Sequence, residues 1–73
     1  MKDFLSVVKK FIEQKGFKEK LSSIGESNMR QVGRDLASGK ITLDQAIDLF
    51  LKERDYKYLV GRKEREELAK MLK

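Results

Sequence analysis

The stretch from Leu36 to Phe50, LASGKITLDQAIDLF, limits the possible folds more than any other part of the chain. Gly39 follows the pattern of a helix C-terminus, where a left-handed backbone position favours a residue with no Cβ. Thr42 is a good N-cap, and Gln45 three residues later completes a capping box. Ile41, just before the cap, is placed to pack back on Ala46 as a hydrophobic staple. Two helices joined by so short a loop must be neighbours in space. The second helix, about Thr42 to Arg54, sets Leu43, Ala46, Ile47, Phe50 and Leu51 on one face, with Leu49 beside it. Its polar strip is narrow: Asp44, Gln45, Asp48 and Lys52. Such a helix belongs at the centre, covered from more than one side. Asp48 and Lys52 are spaced to pair along it.

The rest of the chain supplies the cover. About Asp3 to Lys15, Phe4, Leu5, Val8, Phe11 and Ile12 recur at helical spacing, with Val7 at the edge and Lys2, Lys9, Lys10 and Glu13 behind. Gly16 ends that helix. Phe17 to Ser23 reads as a short helical turn, with Phe17, Leu21 and Ile24 facing inward. Ser27 is the expected N-cap of the next helix. That helix runs to about Ser38, with Met29, Val32, Leu36 and Ala37 inward and Arg30 and Arg34 outward. Gly33 in its middle costs about 1 kcal/mol against alanine, which implies that another helix comes close there. Beyond the central helix, Tyr56, Tyr58 and Val60 alternate with polar neighbours like a strand. No partner strand is in view, so the segment is expected to be a loop or a distorted helical turn. A last helix follows from about Gly61, with Leu68, Met71 and Leu72 inward. Residues 1–73 thus read as one all-α domain of four helices plus a short turn, in a compact orthogonal or bundle-like array.

Composition excludes several classes. A chain of 73 residues buries only ~60–65% of its unfolded surface, so every apolar face is needed for its own core. The chain has neither cysteine nor histidine, so the usual nucleophile–base pairs, disulfides and metal ligands are lacking. Its five serines suit caps and turns. Asp35 to Ala46 lies between helices like a calcium loop. Ala37, Gly39 and Ala46 stand where ligands would be needed. There is no glycine-rich phosphate loop. No cofactor, no metal, no small-molecule substrate and no catalysis are therefore expected. No stretch approaches the ~18–20 apolar residues of a membrane span, and the N-terminus does not read as a signal peptide. Cysteine-free and mixed in charge, the chain fits the cytoplasm.

Charge then directs the search for partners. Basic residues number 17 against 12 acidic, a net charge of +5 that favours polyanions. The helical hairpin invites a helix-turn-helix reading, in which the second helix would enter a DNA groove. That end of the helix carries Asp44 and Asp48, which phosphates repel, so the central helix is not the reader. The better candidates are Arg54, Lys57, Tyr58, Arg62, Lys63 and Arg65, five basic groups and an aromatic within twelve residues. They precede or open the last helix, whose free N–H groups suit a phosphate. Glu64, Glu66 and Glu67 blunt that field. In a competing view Tyr56 and Tyr58 seal the core edge and the basic groups are merely solvated. The rival function is protein docking through Tyr56, Tyr58, Leu59 and Val60, an apolar–aromatic surface that a homodimer would also use.

The segment LASGKITLDQAIDLF resembles the helical hairpin of the exodeoxyribonuclease VII small subunit, with its glycine turn and leucine-rich second helix. The resemblance is confined to residues 36–50. It implies the hairpin and no function.

Overall fold

A computed structural model describes residues 3–53 and 56–73. The fold is all-α. Among the described residues there are five helices: α1 (Phe4–Lys15), α2 (Ser23–Ser38), α3 (Leu43–Lys52), α4 (Tyr56–Leu59) and α5 (Arg62–Leu72). Four are of substantial length, and α4 is a single turn.

The hairpin forms as its residues dictate. Gly39 adopts φ 84° and its N–H closes on α2 carbonyls. Thr42 Oγ1 accepts the Gln45 N–H at 3.2 Å, and Gln45 Oε1 accepts the Thr42 N–H at 2.8 Å. The reciprocal bonds satisfy two of the donors that a helix start leaves open. α3 then packs against α2, α4 and α5, while α1 packs on α2 and α5. Ala46, Ile47 and Phe50 of α3 are wholly inaccessible to solvent. The helix is therefore central and covered on several sides.

Gly33 marks the expected close approach. A Cβ at this position would stand 3.0 Å from Phe4 Cβ, tighter than ordinary contact, so α1 sits directly on the bare backbone of α2. The core that results is a single cluster contributed by α1, α2, α3, α4 and α5, with Val60 after α4. Its buried members are all hydrophobic.

Four rings close the core into a loop. Phe11 meets Phe17 edge-on at 6.0 Å and Phe50 edge-on at 6.4 Å. Tyr56 stacks on Phe50 at 4.8 Å and on Phe17 at 6.1 Å. The Tyr56 hydroxyl donates to the Glu19 carbonyl at 3.0 Å, so the buried ring keeps its polar end satisfied. These contacts tie α1, the segment after it, α3 and α4 to one another.

Several expectations require correction. Residues 17–22 are not helical, and α2 is capped by Ser22, not Ser27, with Ser22 Oγ accepting the Gly25 N–H at 3.0 Å. Gly25 is buried inside the first turn of α2. Ile24 is 75% exposed, because a helix from Ser23 places it on the outer stripe with Asn28 and Gln31. Ala37 shares the outer stripe of Arg30 and is also exposed. Asp48 does not pair along α3 with Lys52 among the described residues. It reaches Arg65 of α5 instead. Arg54, expected at the end of the central helix, lies outside the described residues, as does Lys2.

Removing the ring that closes the aromatic loop has a defined cost. Tyr56→Ala is expected to lower unfolding free energy by ~3–5 kcal/mol, as for other large buried rings. Tyr56→Phe loses only the hydroxyl bond, about 0.5–1.5 kcal/mol. Urea denaturation of both variants checks the order; equal losses would deny the ring its packing role.

Candidate functional site

The one-turn helix α4 decides what the carboxy-terminal third presents to solvent. A strand would send Tyr56, Tyr58 and Val60 to the same side. The helical turn instead aligns residues four apart, and the Val60 N–H bonds to the Tyr56 carbonyl at 2.9 Å. Tyr56 and Val60 consequently point into the core and are buried. Lys57, Tyr58 and Leu59 point outward, with Tyr58 76% exposed. The docking surface expected of Tyr56, Tyr58, Leu59 and Val60 thus loses two of its four residues. Of the two tyrosines expected to seal the core, only Tyr56 does so.

The basic candidates divide in the same way. Lys57, Arg62 and Lys63 are exposed. Among the described residues, none of the three has an ion-pair partner. Lys57 Nζ stands 5.1 Å from the centroid of the Tyr58 ring, a cation–π contact. Arg62 and Lys63 open α5 directly after Gly61. The Glu64 carboxylate folds back to accept the Gly61 N–H at 3.0 Å, capping the start of α5. Residues 56–63 contain three cations and no acidic residue.

Arg65 belongs to the framework. Its guanidinium meets Asp48 Oδ1 at 2.8 Å and Asp44 Oδ1 at 3.7 Å, and donates to the Asp44 carbonyl at 3.1 Å. It clamps α5 to the start of α3 and supplies the charge partner that the acidic strip of α3 needed. The acidic strip was visible in the sequence, where Lys52 is the expected partner of Asp48; Arg65, which only packing brings to it, was not. A second clamp joins Lys15 of α1 to Glu67 of α5. The hydrogen bond from Lys15 holds the Glu67 carboxyl below its ordinary range. A carboxylate whose pKa is lowered on folding favours the folded state at neutral pH. That contribution is lost as pH falls through the lowered value. Arg54, the first of the basic candidates, lies outside the described residues.

The exposed set is therefore Lys57, Tyr58, Arg62 and Lys63, gathered at the junction of α4 and α5. Elsewhere the surface is more mixed. A shallow hollow bounded by Lys9, Ile12, Glu13, Lys20, Leu21 and Glu26 has lysines and glutamates facing each other. Lys9 and Glu26 are 3.6 Å apart there. Among the described residues, no group of three or more acidic side chains is arranged to hold a metal ion, and no helix is long and apolar enough to cross a membrane.

Comparison with family models, curated proteins and solved structures finds no match to the chain. The hairpin at residues 36–50 is present, with Gly39 closing α2 and Thr42 capping α3.

The division between framework and free cations has a thermodynamic signature. Arg65→Ala is expected to cost ~1 kcal/mol, the scale of a half-exposed ion pair with one added hydrogen bond. Arg62→Glu combined with Lys63→Glu should change stability by less than ~0.5 kcal/mol, as for exposed positions that form no close ion pair among the described residues, Lys63 acting on Glu67 only through its field. Chemical denaturation of the two proteins measures both. A reversed ranking would put Arg65 on the free surface and the other two in the framework.

Proposed function

We propose that this protein is a small, non-catalytic nucleic-acid-binding protein of the cytoplasm that uses the corner formed by α4 and the start of α5. One observation supports the reading above the others. Lys57, Arg62 and Lys63 share an exposed corner with the open ring of Tyr58, and no carboxylate lies within residues 56–63. Lysine and arginine side chains neutralise phosphates and release condensed counterions, the sequence-independent part of nucleic-acid affinity. The outer N–H groups of α5 add partial positive charge at the same place. Asp48, which would repel a polyanion from α3, is paired with Arg65 at 2.8 Å, whereas Asp44 at the start of that helix stays largely exposed.

The competing reading, a protein-docking module, draws on Tyr58 and on Leu59, which is about half exposed. With Tyr56 and Val60 buried, that apolar surface is small and ringed by cations. An interface core is ordinarily depleted in lysine, which weighs against it. The absence of histidine and cysteine from the sequence supports the non-catalytic part of the proposal.

Electrophoretic mobility shift at low salt, with both duplex and single-stranded DNA, tests the proposal. The wild-type protein should retard nucleic acid. The Arg62→Glu, Lys63→Glu double variant should abolish the shift. Three cations on three phosphates imply a roughly 20- to 40-fold loss of affinity between about 50 and 200 mM salt. Unchanged binding by the double variant, or binding indifferent to salt, contradicts the proposal; the latter is the behaviour of apolar docking.

A further inference from the structure

The six aromatic residues of this chain are disposed unequally. Phe11, Phe17, Phe50 and Tyr56 form the closed loop of rings in the core. Phe4 is buried over Gly33. Tyr58 alone is turned out, 76% exposed, on a helix whose other ring is fully buried. A small domain with a thin core gains nothing in stability from leaving a large ring in water. Its hydroxyl makes no tertiary hydrogen bond among the described residues, and its one ring contact is with Lys57.

We infer that Tyr58 is a stacking platform for an unpaired base, and that Arg62 and Lys63 hold the phosphates beside it, so that this corner takes single-stranded nucleic acid in preference to duplex. The inference rests on the nucleic-acid reading above and narrows it to one class of ligand. An aromatic side chain reaches the π face of a base only when that base is out of its stack. In a duplex those faces are covered, and only edges and phosphates are presented. The Lys57 ammonium stands 5.1 Å from the ring centroid, and the ring is 76% exposed, so most of its surface is open to a base. Arg62 follows Tyr58 by four residues and Lys63 by five, so the ring and the two phosphate-binding groups sit on one short piece of chain. The helices on either side resist a duplex. Asp44 at the start of α3 is exposed at 85% of its side chain, and α5 carries the exposed Glu66 in its first half. A single strand is narrow enough to touch the corner without lying along either helix.

The sequence supplies its own reporter. With no tryptophan and two tyrosines, one of them buried, the accessible tyrosine emission comes from Tyr58. The experiment titrates the full chain at low salt with oligothymidylate and oligouridylate of about twelve nucleotides, and with a duplex of equal length, reading anisotropy and tyrosine emission together. The wild-type protein is expected to bind both single strands more tightly than the duplex, with quenching of its emission. Comparison of the two oligonucleotides shows whether the sugar matters. Tyr58→Ala and Tyr58→Leu should weaken single-strand binding by roughly 5- to 100-fold and leave duplex binding and the salt slope unchanged. Tyr58→Phe should retain the affinity and lose the quenching. Circular dichroism of each variant should match the wild type, since the position is exposed. Equal affinity for duplex and single strand, no quenching, or a leucine variant that binds like the wild type overturns the stacking inference and leaves the nucleic-acid reading standing. A wild-type protein that binds none of the three overturns both.

Discussion

Closure of four rings across the centre of the molecule is the contact on which the other features depend. Phe11 brings α1, Phe50 brings α3, Tyr56 brings α4 and Phe17 brings the segment that leads to α2. Aromatic pairs contribute about 0.5–1.5 kcal/mol each beyond the area they bury. A chain of 73 residues has about 4–11 kcal/mol of net stability in all. The loop of rings is thus a large share of what holds the fold. It also fixes orientation. Once Tyr56 is seated between Phe50 and Phe17 with its hydroxyl on Glu19, the short helix α4 has a single rotational setting. That setting sends Lys57, Tyr58 and Leu59 to solvent.

Ion pairs complete the arrangement by sorting the charges into two sets. Lys9 with Glu26, Lys15 with Glu67, and Arg65 with Asp44 and Asp48 each join two different helices. Individually such partly exposed pairs add little to stability. Their effect on the surface field is larger, because they consume carboxylates that would otherwise face a polyanion. A net charge spread over the chain becomes, at the α4–α5 corner, a local concentration of cations beside an open ring. The framework and the candidate site are therefore built by the same few contacts, with α4 as the link between them.

The sequence made the local part of this legible and hid the part that depends on distance. Gly39, Thr42 and Gln45 carry their turn and cap chemistry within a few residues, so the hairpin was readable from them alone. Gly33 announced a close approach, although not that Phe4 would be the residue making it. The early start of α2, which turns Ile24 outward, was hidden because its first turn holds a glycine, Gly25, within a polar run. The burial of Gly25 beneath Leu21 and beside Ser22 becomes visible only when the first turn of α2 is in place. Tyr56 to Val60 was the least readable stretch. Alternation and a single helical turn differ there by whether Tyr58 joins Tyr56 in the core, and the choice is made by Phe50 on the preceding helix and by Phe17, distant in sequence. Arg65 was grouped with the free basic residues for a similar reason: its partners on α3 are brought to it only by packing. Of the basic residues singled out, the structure assigns Arg65 to the framework and leaves Lys57, Arg62 and Lys63 exposed.

Solvent accessibility of the two tyrosines tests the central claim most directly. Acrylamide quenching of tyrosine emission in Tyr58→Phe, which leaves Tyr56, and in Tyr56→Phe, which leaves Tyr58, separates them. The ring loop predicts that Tyr56 is shielded from the quencher in the folded protein, becoming accessible only on unfolding, while Tyr58 is quenched nearly as freely as in the unfolded chain. Equal quenching of both rings, or a shielded Tyr58 beside an accessible Tyr56, would contradict the setting of α4 and with it the surface drawn from it.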